Sequence, residues 1–251
     1  MFSVSPQPNI EVRVRLAVPG VAQAADSVAV ETAKVYSALG MQIRAQDVRV
    51  RILNESERDL YTHPEFLLNG RVCPYDRRLT EAVALSVAGR RSDAESEAEY
   101  VGVLCRSALT TRPELLLNDG IVQAWSEALP GPDIRPFLRS VLRARLPVNH
   151  LEIVHGMRPG DVSVGQAAEN YIASLSMNTI VVRVSRPLFD EIARSDEELD
   201  QQLQFMRDGL FVESGVVHPV IAIEPWPELR DYSFAIVLNE LESAPLPAPK
   251  S

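Results

Sequence analysis

Histidine and cysteine, two residue types that commonly carry catalysis, are few in this 251-residue sequence. They do not fall at catalytic spacings. The histidines are His63, His150, His155 and His218. His150 and His155 are five residues apart, so on one helix their side chains would point in different directions. They could not share a metal ion from one helix face. No Gly-rich phosphate loop, nucleophile elbow or HExxH motif occurs. We therefore predict no catalytic, cofactor-binding or metal site, and interpret the histidines as capping or loop residues.

Carboxylates are concentrated between residues 190 and 213. The acidic residues there are Asp190, Glu191, Asp196, Glu197, Glu198, Asp200, Asp208 and Glu213. Paired carboxylates could serve a glycosidase or a metal enzyme. On the polar face and first turn of an amphipathic helix they are more typical of a solvated surface, or of a docking surface for a basic partner. An enzyme with an unrecognised carboxylate site stays an alternative, as does an effector-binding regulatory module.

One aromatic residue is placed where it could bind another protein. Trp226 lies between two prolines, with Glu224 and Glu228 beyond them. Prolines restrict the backbone, and a rigid aromatic side chain is typical of protein-binding hot spots. A tryptophan folded back over its own sheet is the competing interpretation. We predict a protein-binding surface formed by Trp226, Glu224, Glu228 and Tyr232.

Two segments of the chain repeat one order of elements. Residues 10–70 and 178–239 each predict a strand, a helix, a glycine, a strand, a polar loop and a further strand. Strands are indicated by alternation, as in Val12-Arg13-Val14. Between the two segments, apolar residues at helical spacing, interrupted by proline and glycine, predict several short helices. The sequence thus predicts an α+β fold in which two β-α-β-β units flank a central helical subdomain.

The predicted boundaries follow these changes of pattern. An N-terminal β-α-β-β subdomain occupies residues 1–75, a helical subdomain residues 76–175, and a C-terminal β-α-β-β subdomain residues 176–242. Residues 243–251 contain three prolines and a single leucine. We expect this last segment to form a disordered tail, because it offers little apolar surface to bury.

Composition excludes several classes of protein. The sequence has 34 acidic residues against 25 Lys and Arg, a formal net charge of −9. Proteins that bind phosphate backbones usually carry a basic field, so we expect no nucleic-acid partner. No apolar stretch approaches the length of a membrane helix and no secretory signal is present, which predicts a cytoplasmic protein without direct membrane insertion. Cys73 and Cys105 lack metal or redox spacing and are expected to be buried, reduced thiols.

Three stretches resemble the cytoplasmic domain of the FlhA/SctV (FHIPEP) export-gate family of flagellar and virulence type III secretion systems, in that family's own order. The first is ALGMQIRAQDVRVRI with the following FLLNGRVC, the second is RPELLLNDGIVQAWSEAL, and the third is IRPFLRSVLRARLPVNHLEIV. Together they span most of residues 28–157. The family's membrane region has no counterpart in this sequence, the subdomain usually inserted after the first sheet looks trimmed, and residues 145–150 lack the family's Glu and Arg.

The resemblance implies a cytoplasmic platform of several subdomains. In that family such platforms assemble into rings and dock chaperone-bound export clients. For this chain it implies a non-enzymatic adaptor or scaffold that needs no cofactor, whose partners are other proteins and which could also form a homo-oligomer. No client-binding residue is carried over, because the subdomain that helps to form the family's cleft looks reduced.

Overall fold

The computed structural model describes residues 8–14, 20–41, 43–54, 64–75, 94–128, 133–150, 164–175, 179–195, 201, 204–205 and 219–248. The chain divides into two compact units, Met1–Ser176 and Met177–Ser251. In the described residues, six helices accompany one mixed sheet of four strands and another of five. This confirms the predicted α+β class.

The first unit contains a sheet built around a central strand. Its strands, in the order β2-β1-β3-β4, are β1 (Asn9–Val14), β2 (Arg49–Asn54), β3 (Glu65–Leu68) and β4 (Arg71–Cys73). Strand β2 is parallel to β1, whereas β3 is antiparallel to both β1 and β4. The predicted alternation holds, because Ile10 and Val12 are buried while Arg13 lies outward in ion pairs with Glu11 at 3.1 Å and Glu65 at 3.0 Å.

Five helices of the first unit lie in the described residues. They are α1 (Gly20–Ala38), α2 (Ala94–Thr111), α3 (Asp119–Ala128), α4 (Arg135–Arg143) and α5 (Val164–Leu175). Helix α1 packs on β2 and on α2. The approach of α1 to α2 is close at Gly102, where an added Cβ would lie 2.0 Å from the Ser27 Oγ. Residues 76–93, the first part of the predicted helical subdomain, lie outside the described residues.

An aromatic cluster joins α3, α4 and α5. The Trp125 ring centroid lies 5.2 Å from that of Phe137 and 5.8 Å from that of Tyr171. Both polar aromatic side chains are satisfied by the loop after α4: Trp125 Nε1 donates to the Val148 carbonyl at 2.8 Å and the Tyr171 hydroxyl to the Pro147 carbonyl at 2.9 Å. Since buried donors need partners, these bonds fix that loop on the helices.

Helix α1 has its last residue at Ala38 and is capped by a turn at Gly40. Gly40 has φ +78°, the left-handed conformation that glycine adopts readily. The amide of Gly40 donates to the Ser37 carbonyl and that of Met41 to the Tyr36 carbonyl, both at 2.9 Å. These two bonds form a Schellman motif. The turn is also a contact point, because the side chain of Asn149 fills the space where a Cβ of residue 40 would lie.

The second unit repeats the strand topology of the first. Its elements are β5 (Thr179–Val184), α6 (Arg186–Ile192), β6 (Val220–Pro225), β7 (Ser233–Leu238), β8 (Leu241–Glu242) and β9 (Leu246–Pro247). The order is β6-β5-β7-β8, with β9 also paired to β7. Strand β5 is parallel to β6 and antiparallel to β7, as β1 is to β2 and β3. The two predicted β-α-β-β units are thus confirmed.

The prediction of a disordered tail after residue 242 is wrong for residues 243–248. Leu246 pairs with Phe234 and Pro247 with Ser233 in the β7–β9 ladder, and Ala244 is buried. The prolines do not prevent this pairing, because an edge strand tolerates residues without an amide hydrogen. The C-terminal subdomain therefore extends past its predicted end, and residues 249–251 lie outside the described residues.

Candidate docking surface around Trp226

The connection between β6 and β7 is formed by two consecutive turns. The amide of Leu229 donates to the Trp226 carbonyl at 3.1 Å, which closes the first turn. The amide of Ser233 donates to the Arg230 carbonyl at 3.2 Å, and the Ser233 hydroxyl donates to the same carbonyl at 2.6 Å. Residues 226–232 are therefore ordered by their own backbone.

Both ends of this connection are tied to neighbouring strands. At its start the amide of Trp226 donates to the carbonyl of Val184, the last residue of β5, at 2.7 Å. At its end the Tyr232 carbonyl accepts a bond from the amide of Ala248 at 2.8 Å. Tyr232 has φ +57°, and the residue is 54% exposed. The loop thus presents a tyrosine from a fixed, left-handed backbone position.

The indole of Trp226 packs against an arginine of its own sheet. The Arg183 Cζ lies 3.9 Å from the Trp226 ring centroid, a cation–π arrangement. The guanidinium also forms an ion pair with Glu242 on β8. Trp226 is half-buried as a result. The ring is covered by a side chain of β5, as in the competing interpretation that the tryptophan folds back over its own sheet, but the residue is not fully buried.

Three acidic residues lie on or beside this loop. Glu224, Glu228 and Asp231 are all exposed. Glu224 lies beside Arg183 in the β5–β6 register. We call the set Glu224, Trp226, Glu228, Asp231 and Tyr232 the Trp226 surface. It contains the four predicted binding residues, on or beside one connection, and adds Asp231.

Sequence reasoning missed the two residues that hold the indole. The sequence pattern singles out neither Arg183 nor Glu242 as a site residue. Their relation to Trp226 depends on the register of three strands.

Among the other candidate residues, those that the structure describes form no comparable group, and the acidic residues from Asp196 to Glu213 lie outside the described ranges. His150 is half-buried, while His63, His155 and His218 lie outside the described residues. Of the acidic cluster, Asp190 pairs with Arg186 at 3.0 Å and Glu191 is exposed. Across the described ranges, no group of three or more His, Cys, Asp or Glu could hold a metal ion. Within those same ranges, no helix combines the length and apolarity that crossing a bilayer requires.

The buried titratable groups are held neutral or paired. Burial raises the pKa of Cys105 to about 12, although the Thr32 hydrogen bond opposes the shift. Burial also raises the pKa of Cys73 and of Tyr36. Both cysteines are free and buried, which confirms their prediction. Since the thiolate is the nucleophilic form, protonated thiols of this kind suit a structural core.

Glu114 is the described carboxylate whose pKa is clearly shifted. Burial disfavours its charged form, but the hydrogen bond and charge of Arg112, aided by Arg143, outweigh burial and lower the pKa of Glu114. The Arg112 Nε lies 2.5 Å and the Arg143 Nε 3.6 Å from its Oε1. An ion-paired, ionised carboxylate is not the raised-pKa acid that a general-acid mechanism needs.

The three stretches that carry the family resemblance meet in space. Leu39, in the first stretch, accepts a hydrogen bond at 2.9 Å from the amide of Val148 in the third. The Val148 carbonyl accepts the indole hydrogen of Trp125, in the second stretch, at 2.8 Å. Gly40 and Asn149 touch beside this junction. The stretches therefore form one packed unit rather than three separate patterns.

The similarity to known proteins that the comparisons find is one of structure. No protein-family model matches the sequence, and no curated protein matches it. The chain is similar to the solved "Structure of the Chlamydia pneumoniae CdsV protein", with 11% sequence identity and a TM-score of 0.44 over 91% of this chain and 98% of that chain.

Proposed function

We propose that this chain is a non-enzymatic, cytoplasmic docking module that binds other polypeptides through the Trp226 surface. The observation that carries the proposal is the fixed position of Trp226, stacked on Arg183 with the Cζ 3.9 Å from the ring centroid and still half-exposed. An aromatic side chain that is already ordered loses little conformational entropy on binding. Aromatic anchors of this kind contribute much of the affinity in protein interfaces.

The sequence resemblance supports a role like that of the type III secretion export-gate platform. Its three stretches contact one another through Leu39, Val148 and Trp125, as parts of one inherited fold would. What the resemblance implies is a scaffold or adaptor that assembles with copies of itself and docks client proteins. We extend that role to this chain as part of the same proposal.

The docking role is tested by affinity capture with matched variants. The purified full chain, immobilised, is exposed to extract of its native cell as wild type, as Trp226→Ala and as Val72→Ala. Val72 is a suitable control because it is 55% exposed but lies in the first unit. Loss of a hot-spot tryptophan weakens binding by about 2 kcal/mol or more, or about 30-fold.

We expect a defined set of proteins to be lost with Trp226→Ala and retained with Val72→Ala. The thermal unfolding midpoint of each variant, measured in parallel, separates loss of binding from loss of folding. Retention of every captured protein by folded Trp226→Ala would refute docking through this surface.

The platform role predicts self-assembly. Light scattering behind size exclusion should give at least twice 27.8 kDa for the chain alone at high protein concentration, or a complex with the captured partner that contains two or more copies of the chain. A strictly monomeric chain that also captures no protein would contradict the proposed platform.

A further inference from the structure

We infer that the segment which binds the Trp226 surface is basic: a polypeptide that sets lysine or arginine side chains among its carboxylates and an apolar side chain on the indole. This inference rests on the proposed docking function and names its partner class. The carboxylates of Glu224, Glu228 and Asp231 are exposed beside the two aromatic residues. Within residues 226–232 the one basic residue is Arg230.

The aromatic rings favour the same partner. The faces of Trp and Tyr rings attract cations, and Trp226 already accepts the Arg183 guanidinium on part of its ring. Tyr232 is 54% exposed in the same loop. A partner that brings both a cation and an apolar group would therefore find a complementary contact for each.

The charge of Arg183 does not oppose a basic partner. Its guanidinium is paired with the Glu242 carboxylate, and the two side chains are only 25% and 26% exposed. The positive charge of Arg183 is thus balanced by the carboxylate of Glu242, a residue of the same sheet. On and beside the loop, the exposed carboxylates of Glu224, Glu228 and Asp231 outnumber the one exposed guanidinium, that of Arg230.

The whole chain reinforces this local preference. Its formal net charge of −9 attracts basic segments at long range and repels acidic ones. Electrostatic attraction between exposed groups is screened over about 8 Å at physiological salt. Binding should therefore weaken as the salt concentration rises.

The experiment uses two synthetic peptides of twelve residues with a fluorescent label, one alternating Leu and Arg and the other alternating Leu and Glu. Fluorescence polarisation gives their affinity for the full chain. Acrylamide quenching reports contact with Trp226, because Trp125 is only 1% exposed. We expect the Leu-Arg peptide to bind and to protect Trp226 from acrylamide, and the Leu-Glu peptide to do neither.

Charge-matched variants separate a surface effect from general attraction. The test variant combines Glu224→Gln, Glu228→Gln and Asp231→Asn. The control variant combines Asp133→Asn, Glu169→Gln and Glu240→Gln, three other exposed residues, and has the same net charge. We expect about a tenfold loss of Leu-Arg peptide affinity in the test variant and a much smaller loss in the control. Equal losses, or equal binding of both peptides, would overturn the inference.

The native partner distinguishes this inference from the docking proposal. If folded Trp226→Ala loses the captured partner while the three-site test variant retains it, docking stands and the basic-partner inference fails. If Trp226→Ala retains the partner, the docking proposal itself fails. Loss of the partner in both variants supports the two together.

Discussion

The guanidinium of Arg183 lies over the indole of Trp226, with its Cζ 3.9 Å from the ring centroid. The same guanidinium pairs with Glu242, so β5, β8 and the loop after β6 together fix one aromatic side chain. Arg183 is therefore a positioning residue. It holds the indole against its own sheet.

Replacing Arg183 should loosen the indole. In Arg183→Leu we expect stronger acrylamide quenching of Trp226 and a loss of about 1–2 kcal/mol in unfolding free energy, from the lost cation–π and ion-pair interactions. Urea unfolding and quenching measure the two effects. Arg186→Leu is the control, because its ion pair with Asp190 is largely exposed and should contribute under about 1 kcal/mol. Unchanged quenching in Arg183→Leu would contradict the positioning role.

Gly40 and Gly70 form a matched pair for the second prediction. Both have φ +78°, but a Cβ at residue 40 would lie 2.5 Å from Asn149 Cγ, whereas none of the described atoms lies within 4 Å of one at residue 70. Gly70→Ala should cost about 1–2 kcal/mol for its backbone conformation alone. Gly40→Ala should cost at least about 1 kcal/mol more. Thermal or urea unfolding measures both.

The double variant Gly40→Ala/Asn149→Ala supplies the control for that difference. Removal of the Asn149 amide should bring the cost of the alanine at residue 40 back towards that at residue 70. Equal destabilisation in the two single variants would show that the close approach to Asn149 carries no energetic weight.

The strands were predictable because burial on one face leaves an alternating signal in the sequence. Ile10 and Val12 are buried while Arg13 is outward, and this pattern identifies β1 without any knowledge of its neighbours. Strand β9 leaves no such signal. It is two residues long and contains Pro247. It forms because its residues pair with Ser233 and Phe234 of β7.

The candidate site was predictable in part for a similar reason. The flanking prolines and acidic residues of Trp226 are adjacent in sequence, so local stiffness and charge could be inferred. The contact of Trp226 with Arg183 and the ion pair with Glu242 join residues distant along the chain. Such contacts follow from strand register, which one sequence without its fold does not specify.

The packing of α1 on α2 gives a third prediction. Gly102 is buried, and an added Cβ there would lie 2.0 Å from the Ser27 Oγ and 3.1 Å from the Ser27 Cβ. Gly102→Ala should therefore destabilise the first unit by about 1–3 kcal/mol, despite the better helix propensity of alanine. Adding Ser27→Ala removes the closest contact and should restore part of the loss. Stabilisation by Gly102→Ala alone would contradict the close approach.

Alkaline pH should destabilise the protein through its buried thiols. Burial raises the pKa of Cys105 to about 12 from an ordinary 9.0, so between those values the unfolded chain releases a proton that the folded chain retains. The unfolded state then binds fewer protons, and stability falls as pH rises above about 9. One thiol contributes at most about 1.4 kcal/mol per pH unit.

Cys105→Ala isolates that contribution. Its unfolding free energy should be lower at pH 8, because a buried side chain has been shortened, but should fall less steeply than that of the wild type between pH 9 and 10. The remaining slope is expected from Cys73 and, at higher pH, from Tyr36, since burial raises the pKa of both. Urea unfolding at each pH, with reductant present, measures the slopes. Parallel slopes for the wild type and Cys105→Ala would show that Cys105 ionises as readily in the folded protein as in the unfolded chain.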